Sequence, residues 1–287
     1  MLTREQFDIL DDLIEGDGSV SASASASGTT AELTNSGLII DGKITAEGIK
    51  AMEPYKVQRA VFIAAGFGSR LVPITLNTPK PLVRVHDVRI IDRLIDACLG
   101  AGIEEIVIVR GYLKEEFDQL LHKYPMIKFI DNDFYTEANN ISSSLLAKDL
   151  IRNAYVFEAD LLISNPKIIK GYNYTSNFLG IKTDKTDDWC FKVKDRVIVE
   201  ELTEGAGEDI WQMVGISYWD AEAGAKLAED IPAVYESEGG KQRYWEQVPL
   251  VFRKENYKVE VRDCKFEDIV EIDTFAELQA IDEKYKV

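Results

Sequence analysis

The sequence predicts an α/β protein: a doubly wound, mainly parallel but mixed sheet with a small N-terminal α+β appendage. Two observations support this fold class. From Val57 onward, apolar runs too short for helices alternate with amphipathic segments, which is typical of βαβ units with buried strands. The first 55 residues contain a low-complexity run and short segments of a different pattern. We therefore expect an appendage over residues 1–55 and a second domain over residues 56–287.

Composition limits the class of protein. The 287 residues are 46% hydrophobic and 29% charged, so the chain can bury a sizeable core. It has no run of 18 apolar residues and no apolar stretch after a basic start, so we expect neither membrane insertion nor secretion. Cys98, Cys190 and Cys264 are odd in number and widely spaced, which argues against a disulfide framework or structural zinc. These features predict a reducing, cytoplasmic location.

The charge balance is strongly acidic. With 50 Asp and Glu against 33 Lys and Arg, the formal net charge is −17. A chain of this charge repels phosphate backbones, so nucleic acid is not an expected partner. An anionic ligand would need one small, locally basic site, and a divalent metal would help to hold it.

The appendage combines short helices with a hairpin. Thr3 is placed to cap a helix with an apolar face, and Asp41-Gly42 forms the turn of a hairpin over residues 38–45. A serine and alanine run over residues 20–27 separates them, and a further helix begins near Ala46 and ends before Pro54. This order resembles a reduced winged-helix module. Between Arg4 and Lys43, however, there are eight acidic residues and no Lys or Arg, so we expect an interaction or dimerisation module, compatible with a homodimer, rather than DNA binding.

The second domain alternates strands and helices. Its first half predicts strands at 60–65, 106–109, 127–130 and 155–157, with helices at 89–100, 113–122 and 141–150. Its second half predicts strands at 177–183, 190–200, 212–218, 257–263 and 269–272, with helices near 221–230, 242–252 and 274–284. Ligands bind at the carboxyl ends of strands in open α/β sheets, so the loops after Ala65, Val109, Phe157 and Ile272 are the expected site.

A glycine-rich loop follows the first of these strands. It reads Ala65-Gly-Phe-Gly-Ser-Arg-Leu71, and Thr78-Pro-Lys-Pro81 comes shortly after it. Two glycines allow a tight turn whose N–H groups face an anion, and Arg70 and Lys80 add positive charge. Leu71 replaces the third glycine of a dinucleotide fingerprint, and no Walker sequence follows. The alternative is an ordinary βα turn with two exposed cations.

Two carboxylates are placed at the ends of distant strands. Asp160 follows the strand at 155–157, and Asp273 follows the strand at 269–272. Mg²⁺ prefers one or two carboxylates together with substrate phosphates, so these two could hold a metal if both strand ends share a cleft. Asp160 could otherwise lie in a solvated turn, Asp273 could cap a helix, and Glu158 could support the site.

All four tryptophans lie between residues 189 and 245, close to several carboxylates. Ring faces attract a quaternary ammonium group, so some of these residues could form an aromatic box. Packing in strands accounts for the others.

Residues 64–71 together with 78–82 resemble the signature of the nucleoside-triphosphate sugar-nucleotidyltransferase superfamily. The resemblance implies that the loop wraps the triphosphate through Ala64, Ala65, Gly66, Gly68 and Ser69. It also implies that Arg70 and Lys80 are catalytic and stabilise phosphate charge, and that Asp160 and Asp273 hold a catalytic Mg²⁺. Positioning and charge stabilisation are what phosphoryl-group transfer requires.

A narrower resemblance covers residues 58–285. The segments at 139–142, 186–191, 215–220, 244–246 and 271–274 resemble those of bacterial CTP:phosphocholine cytidylyltransferases. This implies that Trp189, Tyr244 and Trp245 line a choline pocket with Glu246 as counter-charge. It further places Asn139, Asn140 and Ser142 near the nucleotide, and Gly111 and Tyr112 near the base.

These resemblances imply the reaction CTP + phosphocholine → CDP-choline + pyrophosphate, which activates choline for cell-surface decoration. Alternative acceptors are 2-aminoethylphosphonate, phosphoethanolamine and a sugar phosphate. A non-catalytic nucleotide-binding regulatory protein is the alternative from another class.

Overall fold

The structure, a computed structural model, describes residues 1–16 and 28–286. The chain divides into two compact units, one of Met1–Lys56 with Tyr172–Tyr174 and one of Val57–Gly171 with Thr175–Val287. The serine and alanine run at 20–27 lies outside the described residues. Within the described part of the chain, the structure has no helix long and apolar enough to cross a membrane.

The smaller unit is built from short elements. They are α1 Arg4–Glu15, α2 Gly28–Asn35, β1 Ile39–Ile40, β2 Lys43–Ile44 and α3 Ala46–Met52. The predicted cap of α1 is present as a reciprocal pair, because Gln6 N–H donates to the Thr3 hydroxyl and Thr3 N–H to the Gln6 side chain. Asp41 and Gly42 both adopt positive φ, which gives the hairpin a turn that matches its twist. The resemblance to a winged-helix module stays a prediction.

The larger unit contains fifteen strands and four α-helices within the described residues. The strands are β3 Arg59–Ala64, β4 Arg84–Val85, β5 Val88–Arg89, β6 Glu105–Arg110, β7 Lys128–Asp131, β8 Ala154–Glu158, β9 Leu161–Ile163, β10 Asn177–Lys182, β11 Lys185–Thr186, β12 Cys190–Lys194, β13 Val197–Leu202, β14 Gly205–Ala206, β15 Ile210–Trp219, β16 Glu260–Asp263 and β17 Ile269–Glu271. The helices are α4 Ile90–Gly100, α5 Ile141–Ala147, α6 Ala221–Tyr235 and α7 Phe275–Ile281.

A nine-stranded mixed sheet organises this unit, in the order β10-β16-β13-β12-β15-β8-β3-β6-β7 with an extra pairing of β10 to β15. Strands β7, β6, β3 and β8 run parallel to one another, whereas β15 is antiparallel to β8, β10 and β12. Consecutive residues of β3 point to opposite faces of the sheet. Phe62 packs with residues of α4, and Val61 packs with Ala147 of α5. Helices therefore cover both faces, and the predicted α/β fold with a doubly wound, mixed sheet is confirmed; its parallel part is the group β7, β6, β3 and β8 together with the pair β10–β16.

Three predicted elements differ from the structure. The strand expected at 190–200 is the hairpin β12–β13, because Asp195 and Arg196 adopt positive φ and reverse the chain. The helix expected at 113–122 is a 3₁₀ helix over Lys114–His122. The helix expected at 242–252 is reduced to a π-helical segment over Val248–Phe252, where Pro249 lacks the N–H donor that an α-helix would use.

Candidate active site

A cavity of about 650 Å³ opens where β3, β8 and β17 end. Thirteen of the residues predicted for the site line it: Ala64, Gly66, Gly68, Ser69, Arg70, Lys80, Asn139, Asn140, Asp160, Trp189, Tyr244, Glu246 and Asp273. Residues more than 200 positions apart in the sequence thus meet in one place, as expected from the carboxyl ends of neighbouring strands.

The glycine-rich loop packs directly on the lysine segment. Gly68 has φ +66°, and a Cβ at this position would lie 3.1 Å from the Cβ of Lys80. The Thr75 hydroxyl donates to the Gly68 carbonyl at 2.9 Å and fixes the turn. Glycine is therefore required at 68 both for its backbone conformation and for the close approach of Lys80.

Lys80 lies between the two predicted aspartates. Its Nζ donates to Asp160 Oδ2 at 2.7 Å and to Asp273 Oδ1 at 3.0 Å, and only 10% of its side chain is exposed. Arg70 reaches the same oxygen of Asp273 at 2.8 Å, but its side chain is 66% exposed. Lys80 is thus a fixed, buried charge, whereas Arg70 keeps most of its surface free for an anionic ligand.

A short two-stranded sheet brings the two aspartates together. β9 pairs antiparallel with β17, and Ile272 N–H donates to the Asp160 carbonyl at 3.2 Å. The helix-capping alternative for Asp273 is not what the structure shows, because Thr274 caps α7 in a reciprocal pair with Glu277. The Asp273 carboxylate is therefore available to the cations.

The charges of this cluster stabilise one another. Burial alone would lower the pKa of Lys80, but the adjacent Asp160 and Asp273 carboxylates outweigh it and raise that pKa. Burial likewise opposes ionisation of Asp273, yet Lys80 and then Arg70 hold its pKa below the ordinary value. Lys80 remains a cation and Asp273 an anion throughout the neutral range.

Further carboxylates make the site suitable for a hard divalent cation. Oxygen atoms of Glu158, Asp160 and Glu271 lie within 4.8 Å of one another. Asp160 Oδ1 is buried and has no hydrogen-bond partner in the described part of the chain, which leaves it available as a ligand. A donor set made only of oxygen suits a hard divalent cation rather than a softer metal.

The sequence motifs do not assign Glu158 and Glu271 as metal ligands, although their spacing from the two aspartates indicates that they lie at the same site. Each lies two residues before a predicted aspartate, and side chains at i and i+2 of an extended segment share a face. Burial, followed by the neighbouring Glu246 and Asp160 carboxylates, raises the pKa of Glu158 well above its ordinary value. Gly215 makes room for it, because a Cβ there would lie 2.3 Å from Glu158 Oε2.

Two of the three predicted aromatic residues line the cavity. The rings of Trp189 and Tyr244 meet edge to face with centroids 5.5 Å apart. The ring of Trp245 lies instead in the core, 2% exposed, against Trp219 and Phe178. Its backbone N–H donates to Asn140 Oδ1 at 2.8 Å, so Trp245 anchors a cavity residue through its main chain.

Four other residues predicted to contact the ligand are not among the residues that line the cavity. Ser142 is buried, and its hydroxyl donates to the Asn139 carbonyl. Tyr112 donates its hydroxyl to the carbonyls of Thr75 and Leu76, so it braces the loop before Lys80. Ala65 and Gly111 bring the ends of β3 and β6 together, because a Cβ at Gly111 would lie 2.9 Å from the Ala65 carbonyl. These residues are placed to position the loops that line the cavity.

Glu246 is a buried acid that lines the cavity, and Glu201 on β13 is a half-buried acid whose charge acts on Glu246. Burial and the nearby Glu201 carboxylate raise the pKa of Glu246 to about 8, and burial raises the pKa of Glu201 to about 7. Both values exceed the ordinary value of 4.5, so the folded protein binds protons that the unfolded chain has released.

These raised pKa values predict that stability falls as the pH rises. For each acid, the stabilisation is complete below pH 4.5. It is lost as the pH rises through the folded pKa, about 7 for Glu201 and about 8 for Glu246, by at most about 1.4 kcal/mol per pH unit. We expect the free energy of unfolding from urea titrations to drop between pH 5 and pH 8, and Glu201→Gln to reduce that drop by about 2 kcal/mol. An identical pH slope in wild type and variant would contradict the protonated state of Glu201.

Comparison with known proteins agrees with this geometry. Residues 59–206 match the Nucleotidyl transferase family model. The chain is 36% identical over 229 residues to the 2-aminoethylphosphonate cytidylyltransferase of Lancefieldella rimae, covering 79% of this chain and 92% of that protein. It is 32% identical to the choline-phosphate cytidylyltransferase of Streptococcus pneumoniae, covering 79% and 98%.

A solved structure gives the same result for the fold. The CTP:phosphocholine cytidylyltransferase from Streptococcus pneumoniae superposes with a TM-score of 0.71 at 29% identity, covering 80% of this chain and 99% of that one. The larger unit carries the glycine-rich loop, the buried lysine and the carboxylates in one cavity. The chain belongs to the nucleotidyl transferase family.

Proposed function

We propose that this protein transfers CMP from CTP to a small phosphate or phosphonate that carries a positively charged nitrogen, and that it releases pyrophosphate with the help of Mg²⁺. One observation carries the proposal: the cavity that holds Lys80 and Arg70 is also lined by Trp189, Tyr244 and the buried Glu246. Cations suit the phosphates, and aromatic rings with a carboxylate suit an ammonium group. A zwitterionic acceptor satisfies both halves of the lining.

The chemistry requires charge stabilisation more than proton transfer. An acceptor oxygen attacks the α-phosphorus of CTP, an oxygen–phosphorus bond forms, and the bond to the leaving pyrophosphate breaks. A phosphate monoester near pH 7 is already mostly dianionic, so no general base is needed. Lys80 Nζ and the exposed Arg70 guanidinium are placed to neutralise negative charge on the phosphates. Gly66, Gly68 and Ser69 line the cavity, so their backbone N–H groups would face the same charge.

The metal would be held by oxygen ligands of the strand-end cluster. Asp160, with its unpartnered Oδ1, and the adjacent Glu158 and Glu271 are the described residues that fit it, next to Asp273. When bound, a divalent cation supplies further neutralisation of phosphate charge.

Phosphocholine is the first candidate acceptor. The faces of Trp189 and Tyr244 favour a quaternary ammonium, and the relatives from Streptococcus pneumoniae and Haemophilus influenzae are choline-phosphate cytidylyltransferases. The second candidate is 2-aminoethylphosphonate, on which the Lancefieldella rimae relative acts by its name. The buried Glu246 carboxylate favours this second class, because its Oε2 has no hydrogen-bond partner among residues 1–16 and 28–286.

Pyrophosphate release tests the proposal. We expect release with CTP, and little with ATP, GTP or UTP, when phosphocholine, phosphoethanolamine or 2-aminoethylphosphonate is the acceptor. Preference for a sugar 1-phosphate would contradict an ammonium-binding site. Nucleotide binding without release for any acceptor would support the non-catalytic regulatory alternative.

The aromatic pair provides a separate prediction. Trp189→Ala should raise the KM for the acceptor about tenfold while the KM for CTP changes less than about threefold, because only the acceptor contacts the ring. Trp211→Ala is the matched control, since Trp211 packs against the core beside β12 and lies outside the cavity lining. Equal increases of both KM values in Trp189→Ala would indicate that the ring has only a packing role.

A further inference from the structure

A side cavity of about 240 Å³ adjoins the cavity of the candidate active site. Its lining comes largely from β10 and β15 of the nine-stranded sheet and from β9 and β17 of a two-stranded sheet. Four residues line both cavities, namely Asp188, Met213, Glu271 and Asp273. A group that occupies the side cavity therefore lies directly beside the proposed active site.

The lining of the side cavity selects against phosphate. Its charged residues are all acids, and none of the described residues that line it is a Lys, Arg or His. Lys80 and Arg70 line only the active-site cavity, so the phosphate groups of both substrates belong there. Six apolar residues line only the side cavity: Leu161, Ile181, Val214, Phe266, Ile269 and Val270. The side cavity therefore suits an uncharged, apolar group.

Hydrogen bonds hold acids of this lining in place. The Gln212 amide donates to Asp188 Oδ2 at 3.3 Å, and Gln212 Oε1 in turn accepts the Thr186 hydroxyl at 2.9 Å. Glu277 Oε2 accepts the Asp273 N–H at 2.8 Å. Asp188 and Glu277 already have donors from the protein, so they need no further donor from a ligand.

Met213 forms the apolar part of the wall that the two cavities share. Its backbone is fixed, because its N–H donates to the Trp189 carbonyl at 2.9 Å. Its unbranched side chain can adopt several conformations and fit different neighbours. A ligand beside Trp189 is therefore separated from the side cavity by one adaptable side chain.

The volume sets the size of the group. An apolar cavity of about 150 Å³ holds a benzene ring. The side cavity, at about 240 Å³, accommodates a phenyl ring or a short alkyl chain.

Resting on the proposed function, we infer that the side cavity binds an apolar substituent on the nitrogen of the acceptor. The acceptor phosphate lies beside Lys80 and Arg70, its nitrogen lies beside Trp189, and the substituent passes Met213 into the side cavity. The enzyme therefore accepts amino phosphates or phosphonates whose nitrogen carries a phenyl-sized or short alkyl group.

A matched acceptor pair tests the inference, because phosphoethanolamine and N-benzyl phosphoethanolamine differ only in the group on the nitrogen. We expect wild-type kcat/KM, measured by pyrophosphate release with CTP, to be about tenfold higher for the benzylated acceptor, since its ring leaves water. Ile181→Phe fills the side cavity and should abolish that preference, while kcat/KM for phosphoethanolamine and the KM for CTP change less than about threefold. Phe266→Ala removes a ring that is 52% exposed, so the variant should fold normally and reduce the preference about threefold.

Ile49→Phe is the matched control, because Ile49 on α3 is 45% exposed and lines neither cavity. A wild-type kcat/KM that is equal or lower for the benzylated acceptor, or equal effects of Ile181→Phe on both acceptors, would overturn the inference while leaving the proposed function intact. Benzylamine, which lacks the phosphate, should inhibit competitively with the acceptor. Inhibition that is not competitive would place the ring in a separate effector site and would also overturn the inference. Absence of release with every acceptor would instead count against the proposed function.

Discussion

Lys80→Ala is expected to reduce kcat about 10³-fold or more, with the fold intact. Lys80 Nζ is the cation that joins Asp160 to Asp273, at 2.7 and 3.0 Å. Without it, Asp160 would lose its cation and Asp273 would keep only the exposed Arg70, so the barrier to developing negative charge on the substrate phosphates would rise. Arg70 contacts only Asp273 of this pair and is 66% exposed, so it cannot supply a buried charge in the same place.

The measurement is single-turnover and steady-state pyrophosphate release at saturating CTP, with circular dichroism and thermal unfolding to show that the variant is folded. Lys128→Ala serves as the control, because Lys128 is an exposed lysine of the same unit, paired with Glu105 on the neighbouring strand. A kcat for Lys80→Ala within about threefold of wild type would remove Lys80 from the mechanism.

The part of the site that can be predicted best from the sequence is the part set by strand ends. Asp160 follows β8 and Asp273 follows β17, and a residue directly after a strand has little freedom in where it can lie. The glycine-rich loop is similarly constrained, because Gly68 needs a positive φ and lies against Lys80. Where backbone geometry alone places a side chain, the order of elements is enough to predict it.

The acceptor wall cannot be predicted in the same way. Tyr244 and Trp245 are adjacent, and which ring faces the cavity depends on the irregular path into the π-helical segment rather than on a period. Glu201 escapes prediction for a related reason. The pattern over residues 190–200 predicts one strand, whereas the turn at Asp195 and Arg196 folds β13 back and so places Glu201 where one continuous strand would not. Non-glycine residues at positive φ give no clear signal in a sequence.

Asp160→Asn should cause the second large loss, again about 10³-fold in kcat. It should also abolish the stabilisation of the protein by divalent cations, which Lys80→Ala does not test. Asp160 Oδ1 is buried without a partner in the described part of the chain, and Oδ2 is taken by Lys80. A neutral amide would weaken the binding of a divalent cation at this position and would also remove the ion pair that holds Lys80. Asp273 differs, since its Oδ1 is shared by Lys80 and Arg70.

The readout besides activity is the change in melting temperature on adding Mg²⁺ or Mn²⁺ without nucleotide, because a cation that binds only the folded protein stabilises it. Wild type should show a concentration-dependent rise, Asp160→Asn should show none, and Asp96→Asn, a carboxylate paired with Lys123 outside the cavity, should behave like wild type. If Asp160→Asn kept the full metal-dependent rise, the cation would be held elsewhere, and the loss of activity would then reflect the displacement of Lys80. The two measurements together separate the proposed role of Asp160 as a metal ligand from its role as the partner of Lys80.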